Sequence, residues 1–172
     1  TTQAIIAEVV SQLQGAEVGG GEWVPYRSHV AQALAYAQRP DAERFFLSKL
    51  SEIEEPTAAF GLLDVHGDGS RVDEASAQLE GVWARRLRAQ ARRLGVSAAT
   101  LFHAAWSVVV AHTSGRDDVV FGSVLLGRMQ GAAGGQQTLG MFINTLPLRI
   151  RLGSVSAKAL VEQTQRELVE LL

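Results

Sequence analysis

At 172 residues, with 47% apolar and 20% charged side chains, the chain is long enough for one domain with a sizeable core. A net charge of −2 gives no footing for nucleic acid, and the absence of cysteine excludes disulfides, thiolate metal sites and a cysteine nucleophile. No apolar run approaches the roughly 18 residues that span a bilayer, and no basic-then-apolar leader opens the chain, so the cytoplasm is the default location and no membrane partner is expected.

Ile5, Ile6, Val9, Val10 and Leu13 recur at helical spacing and predict an amphipathic helix over residues 3–14, ended by Gly15 and a loop at Gly19-Gly20-Gly21. That glycine run lacks the Lys-Ser/Thr of a phosphate loop. A second helix is expected over 23–38. A third should be capped by Asp41, carry Phe45, Phe46, Leu47 and Leu50 on its apolar side, and close at Glu54-Glu55-Pro56. Residues 56–71 read as a turn-rich connection, and a short strand is expected from Ser76.

Val82–Leu94 reads as a helix stopped by Gly95, and Ser97 as the N-cap of the next. There Leu101, Phe102, Ala105, Trp106, Val109 and Val110 form a wide apolar face that predicts burial. Asp118–Leu126 is β-branched enough for a strand buried on both faces. Residues 131–137 are a glycine- and glutamine-rich loop. Residues 143–152 predict a second strand, with Pro147 marking an edge or bulge, and 158–172 a last helix. Helices and strands interleave, which is an α/β pattern.

The most specific stretch is Gly140-Met-Phe-Ile-Asn-Thr-Leu-Pro-Leu-Arg-Ile-Arg151, in which Asn144 is the only asparagine of the chain. It resembles the Gly-x-Phe-Val-Asn-Thr-x-x-x-Arg motif of condensation domains from nonribosomal peptide synthetases. Ala91–Ser97 followed by Ala104-Ala105-Trp106, and Asp117–Gly122 followed by Leu126-Gly127-Arg128, are similar to two further segments of that family, in the same order. Tyr26-Arg27 with Ala31 is similar to its Tyr-x-Asp-Tyr-Ala segment, with Ser28 and His29 in place of Asp-Tyr.

The resemblance implies part of a two-lobed, chloramphenicol acetyltransferase-like α/β sandwich, with 1–55 the end of the N-terminal lobe and 56–172 the start of a truncated C-terminal lobe. It implies an acyltransferase that forms an amide bond between two carrier-bound aminoacyl or peptidyl thioesters. No cofactor is bound directly: the substrates arrive on phosphopantetheine arms of carrier proteins, and the partners are those carriers and adjacent domains of a multidomain synthetase. The chain begins without methionine inside one helical pattern and ends in another, and is expected to be a piece of something longer. The family's His-His-x-x-x-Asp-Gly motif is absent, so no catalytic residue is assigned and the piece alone is expected to be inactive. His66-Gly67-Asp68-Gly69 has the wrong spacing for that motif and lies in a turn.

In the family, an arginine in the place of Arg128 pairs with the motif aspartate, and a guanidinium suits that pairing because it can grip a carboxylate through two charge-assisted bonds. Asn144, which donates and accepts at once, either lines the substrate tunnel or pins backbone groups at the strand start. Gly140 permits close backbone approach or a positive φ, and Met141 and Phe142 read as core. Arg85, Arg86, Arg88, Arg92 and Arg93 crowd one helix. They read as a solvated face or, with Arg85, Arg88 and Arg92 foremost, as a docking surface for an acidic carrier. His103 reads as a packing residue, and His112 lies near a helix end. No metal constellation appears. Rival readings are a non-catalytic carrier-docking module, an epimerisation domain, and an acyl-CoA-dependent acyltransferase of the same superfamily.

Overall fold

The structure, a computed structural model, describes residues 2–15, 25–37, 39–64, 66, 70, 73–126 and 140–172. The chain divides into two compact units, Thr1–Ser51 with Val124–Thr145, and Glu52–Ser123 with Leu146–Leu172.

The first unit carries three helices, α1 (Thr2–Leu13), α2 (Tyr26–Ala37) and α3 (Pro40–Leu50). Gly15 ends α1 in the left-handed region at φ +70°. Ile5, Ile6, Val9, Val10 and Leu13 all stay substantially exposed, so the helix forms where its period predicts although its apolar stripe lacks cover. α3 starts one residue before the expected Asp41 cap. Pro40 occupies the first helical position, where its fixed φ and missing N–H suit a helix start. Asp41 therefore falls inside the first turn, beside the positive end of the helix dipole, and pairs with Arg44 at 2.7 Å. The helix ends at Leu50, short of Glu54-Glu55-Pro56.

In the second unit the strand expected from Ser76 does not form. Asp73-Glu-Ala-Ser-Ala-Gln-Leu-Glu80 contains no β-branched or aromatic residue to favour a pleated chain, and it runs without regular structure into α4 (Gly81–Leu94). α4 turns Ala84, Leu87, Ala91 and Leu94 inward and its arginines outward. Gly95, at φ +67°, closes it by donating its N–H to the Ala91 and Arg92 carbonyls. Ser97 then caps α5 (Ala98–Ser114), its Oγ accepting the Thr100 N–H at 3.1 Å. Ser97→Ala is expected to lower stability by about 1 kcal/mol, read as a shifted urea midpoint at unchanged slope. An unshifted midpoint means that the cap contributes nothing.

α5 departs from its predicted burial. Of the expected face, Val110 is buried and Leu101 half-buried, but Phe102 is 57% exposed and Ala105, Trp106 and Val109 are also exposed, while Thr100, Ala104 and Ser107 are buried in their place. Hydrophobic period alone selected the first set. The small residues allow α5 to pack against α6 (Ala157–Glu170), and the hydroxyls go inside because each has a partner. Ser107 donates to the Ala104 carbonyl at 2.7 Å, Thr164 to the Leu160 carbonyl at 2.8 Å, and Thr100 to Gln165 Oε1 at 2.7 Å.

β1 (Asp118–Leu126) pairs with β2 (Ile143–Arg151). The pair is antiparallel, since Asp118 at the start of β1 meets Arg149 near the end of β2. β1 is buried on one face only: Val119 and Ser123 are enclosed and Val124 is exposed, a period of two. Val119, Leu148 and Ile150 from the sheet join Ala104, Val110 and Leu160 from the helices in one core cluster.

Beyond the paired side, α6 reaches back to the sheet. With its amide oriented by its partners, Gln163 donates to the Arg151 carbonyl at 2.9 Å and accepts the Arg151 N–H at 3.0 Å. The backbone of Arg151 therefore points away from β1. Pro147 shares its parity along β2, so the missing N–H falls on the outer edge and costs no ladder bond.

Candidate functional site

The segment from Gly140 to Arg151 contributes to both units, and each part is built differently. In the first unit Phe142 is buried under two rings from the first turn of α2. Its centroid lies 5.4 Å from that of Tyr26, edge to face, and 4.5 Å from that of His29. The Tyr26 hydroxyl donates to the Met141 carbonyl. Gly140 sits under the Tyr26 ring, where a Cβ would overlap the ring carbons. Close approach thus excludes a Cβ here, and the backbone at φ +159° disfavours one as well. Phe142 is core, as its composition predicts, whereas Met141 is exposed: the peptide before the strand turns one side chain in and the next out.

Asn144, at the start of β2, is exposed, and its side chain makes no hydrogen bond to the described residues. The reading in which it pins neighbouring backbone has no bond behind it there.

In the second unit Arg149, with its side chain only 8% exposed, is gripped by carboxylates. Its Nε donates to Asp118 Oδ1 at 3.0 Å and its Nη2 to Asp118 Oδ2 at 2.7 Å, a two-point fork. The same Nη2 reaches Glu52 Oε2 at 3.2 Å, and Arg151 also pairs with Glu52, with its Nε 3.6 Å from Asp118 Oδ2. Hydrogen bonding from Arg149, against partial desolvation, holds the Asp118 carboxyl below the ordinary carboxylate range. The guanidinium of Arg149 is pushed up for the reciprocal reason. Two arginines and two acids thus fix the end of β2 to the start of β1.

Of the residues singled out in the sequence, Arg128 lies outside the described residues, as do Gly67, Asp68, Gly69 and the loop at 131–137. His66 is exposed beside Asp64, 3.2 Å away. Arg85, Arg88 and Arg92 project from the exposed side of α4. His103 is satisfied at both nitrogens. Nδ1 donates to the Ala99 carbonyl at 2.8 Å, so in the neutral ring Nε2 accepts the Ser123 hydroxyl at 2.8 Å. This serine is almost fully buried, so the pair lacks the access that a nucleophile needs. His112 bonds the Val108 carbonyl within its own helix. No metal-binding cluster occurs among the described residues. What the arrangement can do is hold backbone and side chains in place.

The clasp around Arg149 is the feature that sequence reasoning missed. Arg149 closes the Gly-x-Phe motif and Asp118 belongs to the Asp117-Asp118 pair, but their partnership, and that of Glu52, had no local signal.

The sequence model of the family described as "Condensation domain" matches residues 6–172. Malpinin synthetase of Mortierella alpina is 47% identical over 148 residues, covering 86% of this chain and 2% of that protein. Malpibaldin synthetase of the same organism is 46% identical over 148 residues, covering 86% of this chain and 3% of that protein. The chain therefore spans a very small part of the curated relatives that it matches. Among solved structures, the first condensation domain of the CDA synthetase superposes with a TM-score of 0.70 at 24% identity, over 94% of this chain and 36% of that one. This establishes the expected α/β, chloramphenicol acetyltransferase-like fold class. Among the described residues no single helix is long and apolar enough to cross a membrane.

Proposed function

Because this chain belongs to the condensation-domain family, we propose that it is the central-to-late part of a domain that joins two carrier-bound aminoacyl or peptidyl thioesters. In that reaction the acceptor amine attacks the donor thioester carbonyl, the C–N bond forms as the C–S bond breaks, and the thiolate leaves with the proton shed by the amine. Most of the acceleration available to such a site comes from holding both reactants in line, which supplies up to about 7–11 kcal/mol. A histidine as general base adds roughly 10²–10⁴-fold.

The observation that carries this reading is the segment Gly140–Arg151. The motif's glycine permits close approach, its phenylalanine packs under two rings, and its arginine grips a carboxylate at two points. In this reading Asn144, exposed at the strand start, faces substrate, and Arg128 holds the aspartate of a catalytic loop contributed from outside the sequence. Residues 1–55 belong to the N-terminal lobe and 56–172 to the C-terminal lobe. Substrates come on phosphopantetheine arms of carrier domains in a cytoplasmic multidomain synthetase, with Arg85, Arg88 and Arg92 meeting the carrier.

The test supplies loaded donor and acceptor carriers to the intact domain and to these 172 residues alone. The intact domain is expected to give a dipeptidyl thioester with donor configuration retained, and the 172 residues no product, because the double histidine is not among them. Inverted configuration would indicate epimerisation, labelling from free acyl-CoA would indicate the coenzyme-A-dependent chemistry, and carrier binding without turnover would indicate a docking module. Each of these outcomes overturns the proposal.

A further inference from the structure

The peptide that precedes β2 is held by one turn of α2. Tyr26 and His29, at i and i+3, share a helix face, and both are half-buried. Their ring centroids lie 5.5 Å apart, and each ring meets Phe142, at 5.4 Å and 4.5 Å respectively. The Tyr26 hydroxyl also fastens the backbone one residue earlier, by donating to the Met141 carbonyl, and Gly140 passes under the same ring. Gly140, Met141 and Phe142 are therefore fixed by two side chains.

That grip bears on the residues that follow. Ile143, Asn144 and Thr145 are all exposed, and the next buried side chain along β2 is Leu148. Asn144 thus has no buried residue beside it in the chain to set its place. It lies two residues beyond Phe142, about 7 Å of extended backbone. A displacement of Phe142 passes along that short span, and about 1 Å of misplacement at a reacting site can cost roughly 10²-fold in rate. The geometry points to Tyr26 and His29 as positioning residues for amide formation: two rings and one hydroxyl hold residues 140–142 so that the Asn144 carboxamide stands at the substrate. Both act through the peptide and not on the reactants. The part given to Asn144 rests on the amide-forming function proposed above, whereas the three-ring grip is a feature of the structure.

Single-turnover formation of the dipeptidyl thioester by the intact condensation domain, with loaded donor and acceptor carriers, is the measurement. At saturating carriers Tyr26→Phe, which removes only the hydroxyl, is expected to lower the rate about tenfold, while the half-saturating carrier concentration stays within about twofold. His29→Ala is expected to do the same. His29→Phe keeps a ring against Phe142 and should restore most of the rate. Asn144→Ala removes the group that is positioned. In that background Tyr26→Phe should change the rate by less than about twofold, whereas a residue that only stabilises the fold lowers it by the same factor in both. With amide still made by the wild type, three results each overturn this inference alone: an unchanged rate in Tyr26→Phe, equal losses with and without Asn144, or equal losses in His29→Ala and His29→Phe. No amide from the wild-type domain overturns the proposed function, and this inference with it.

Discussion

Replacing Arg149 with alanine is expected to lower the unfolding free energy at neutral pH by about 2–3 kcal/mol. Removal of one member of a fully buried pair costs about 3–5 kcal/mol, because the other charge is left without water or partner. Asp118 keeps its side chain 34% exposed and can recover some hydration, which places the effect below that range. Glu52 is mostly exposed and adds little. Arg149→Lys should recover only part of the loss, since an ammonium on a flexible stem cannot reproduce the two-point grip on Asp118.

The pH dependence carries a distinct signature. The folded-state value of Asp118 is depressed below its ordinary 3.8, so the clasp contributes fully above that value and is lost as pH falls through the folded one. The raised value of Arg149 contributes across the whole accessible range and shapes nothing there. Urea unfolding of wild type and Arg149→Ala should therefore show a constant gap from about pH 5 to 8 that closes below about pH 4. A gap that persists to pH 2 would show that packing of the arginine stem, and not the ion pair, sets its contribution.

Gly140→Ala is the second large effect. The added methyl occupies space now held by the Tyr26 ring, so the ring must swing away. The edge-to-face contact with Phe142 and the hydrogen bond to the Met141 carbonyl go with it. Those two losses together amount to about 2 kcal/mol. The decisive experiment is a double-mutant cycle. In a Tyr26→Ala background the ring overlap is gone and only the strain of a Cβ at φ +159° remains, so the same glycine substitution should cost clearly less. Equal penalties in both backgrounds would place the requirement in the backbone of residue 140 and not in the ring above it.

Local chemistry was legible in the sequence. The stop at Gly95 and the cap at Ser97 depend on a few adjacent residues, and both stand where composition puts them. Helix period found α1. It misjudged α5, because the stripe of largest apolar side chains is not the stripe that packs. Thr100, Ala104 and Ser107 face inward owing to their size and their self-satisfied hydroxyls, which a hydrophobicity count ranks low. Within the candidate site, Gly140 and Phe142 were marked by the motif, but Tyr26 and His29, over a hundred residues earlier, could be matched to them only once the chain was folded. Arg149 and its partners show the same limit, lying 31 and 97 residues apart.

The pairing of Gln163 with Arg151 bears on how this protein behaves in a crowd of copies. A two-stranded sheet offers its outer margin as a template, and a strand that docks there presents a fresh margin to the next, the route to fibrillar stacking. A carboxamide fills one rung of that template and extends it no further, because no chain continues from it. Pro147, four residues back on the same margin, supplies a rung with no donor at all. Opening both rungs, with Gln163→Ala and Pro147→Thr, would leave the core cluster in place and turn β2 into a surface on which other copies could polymerise.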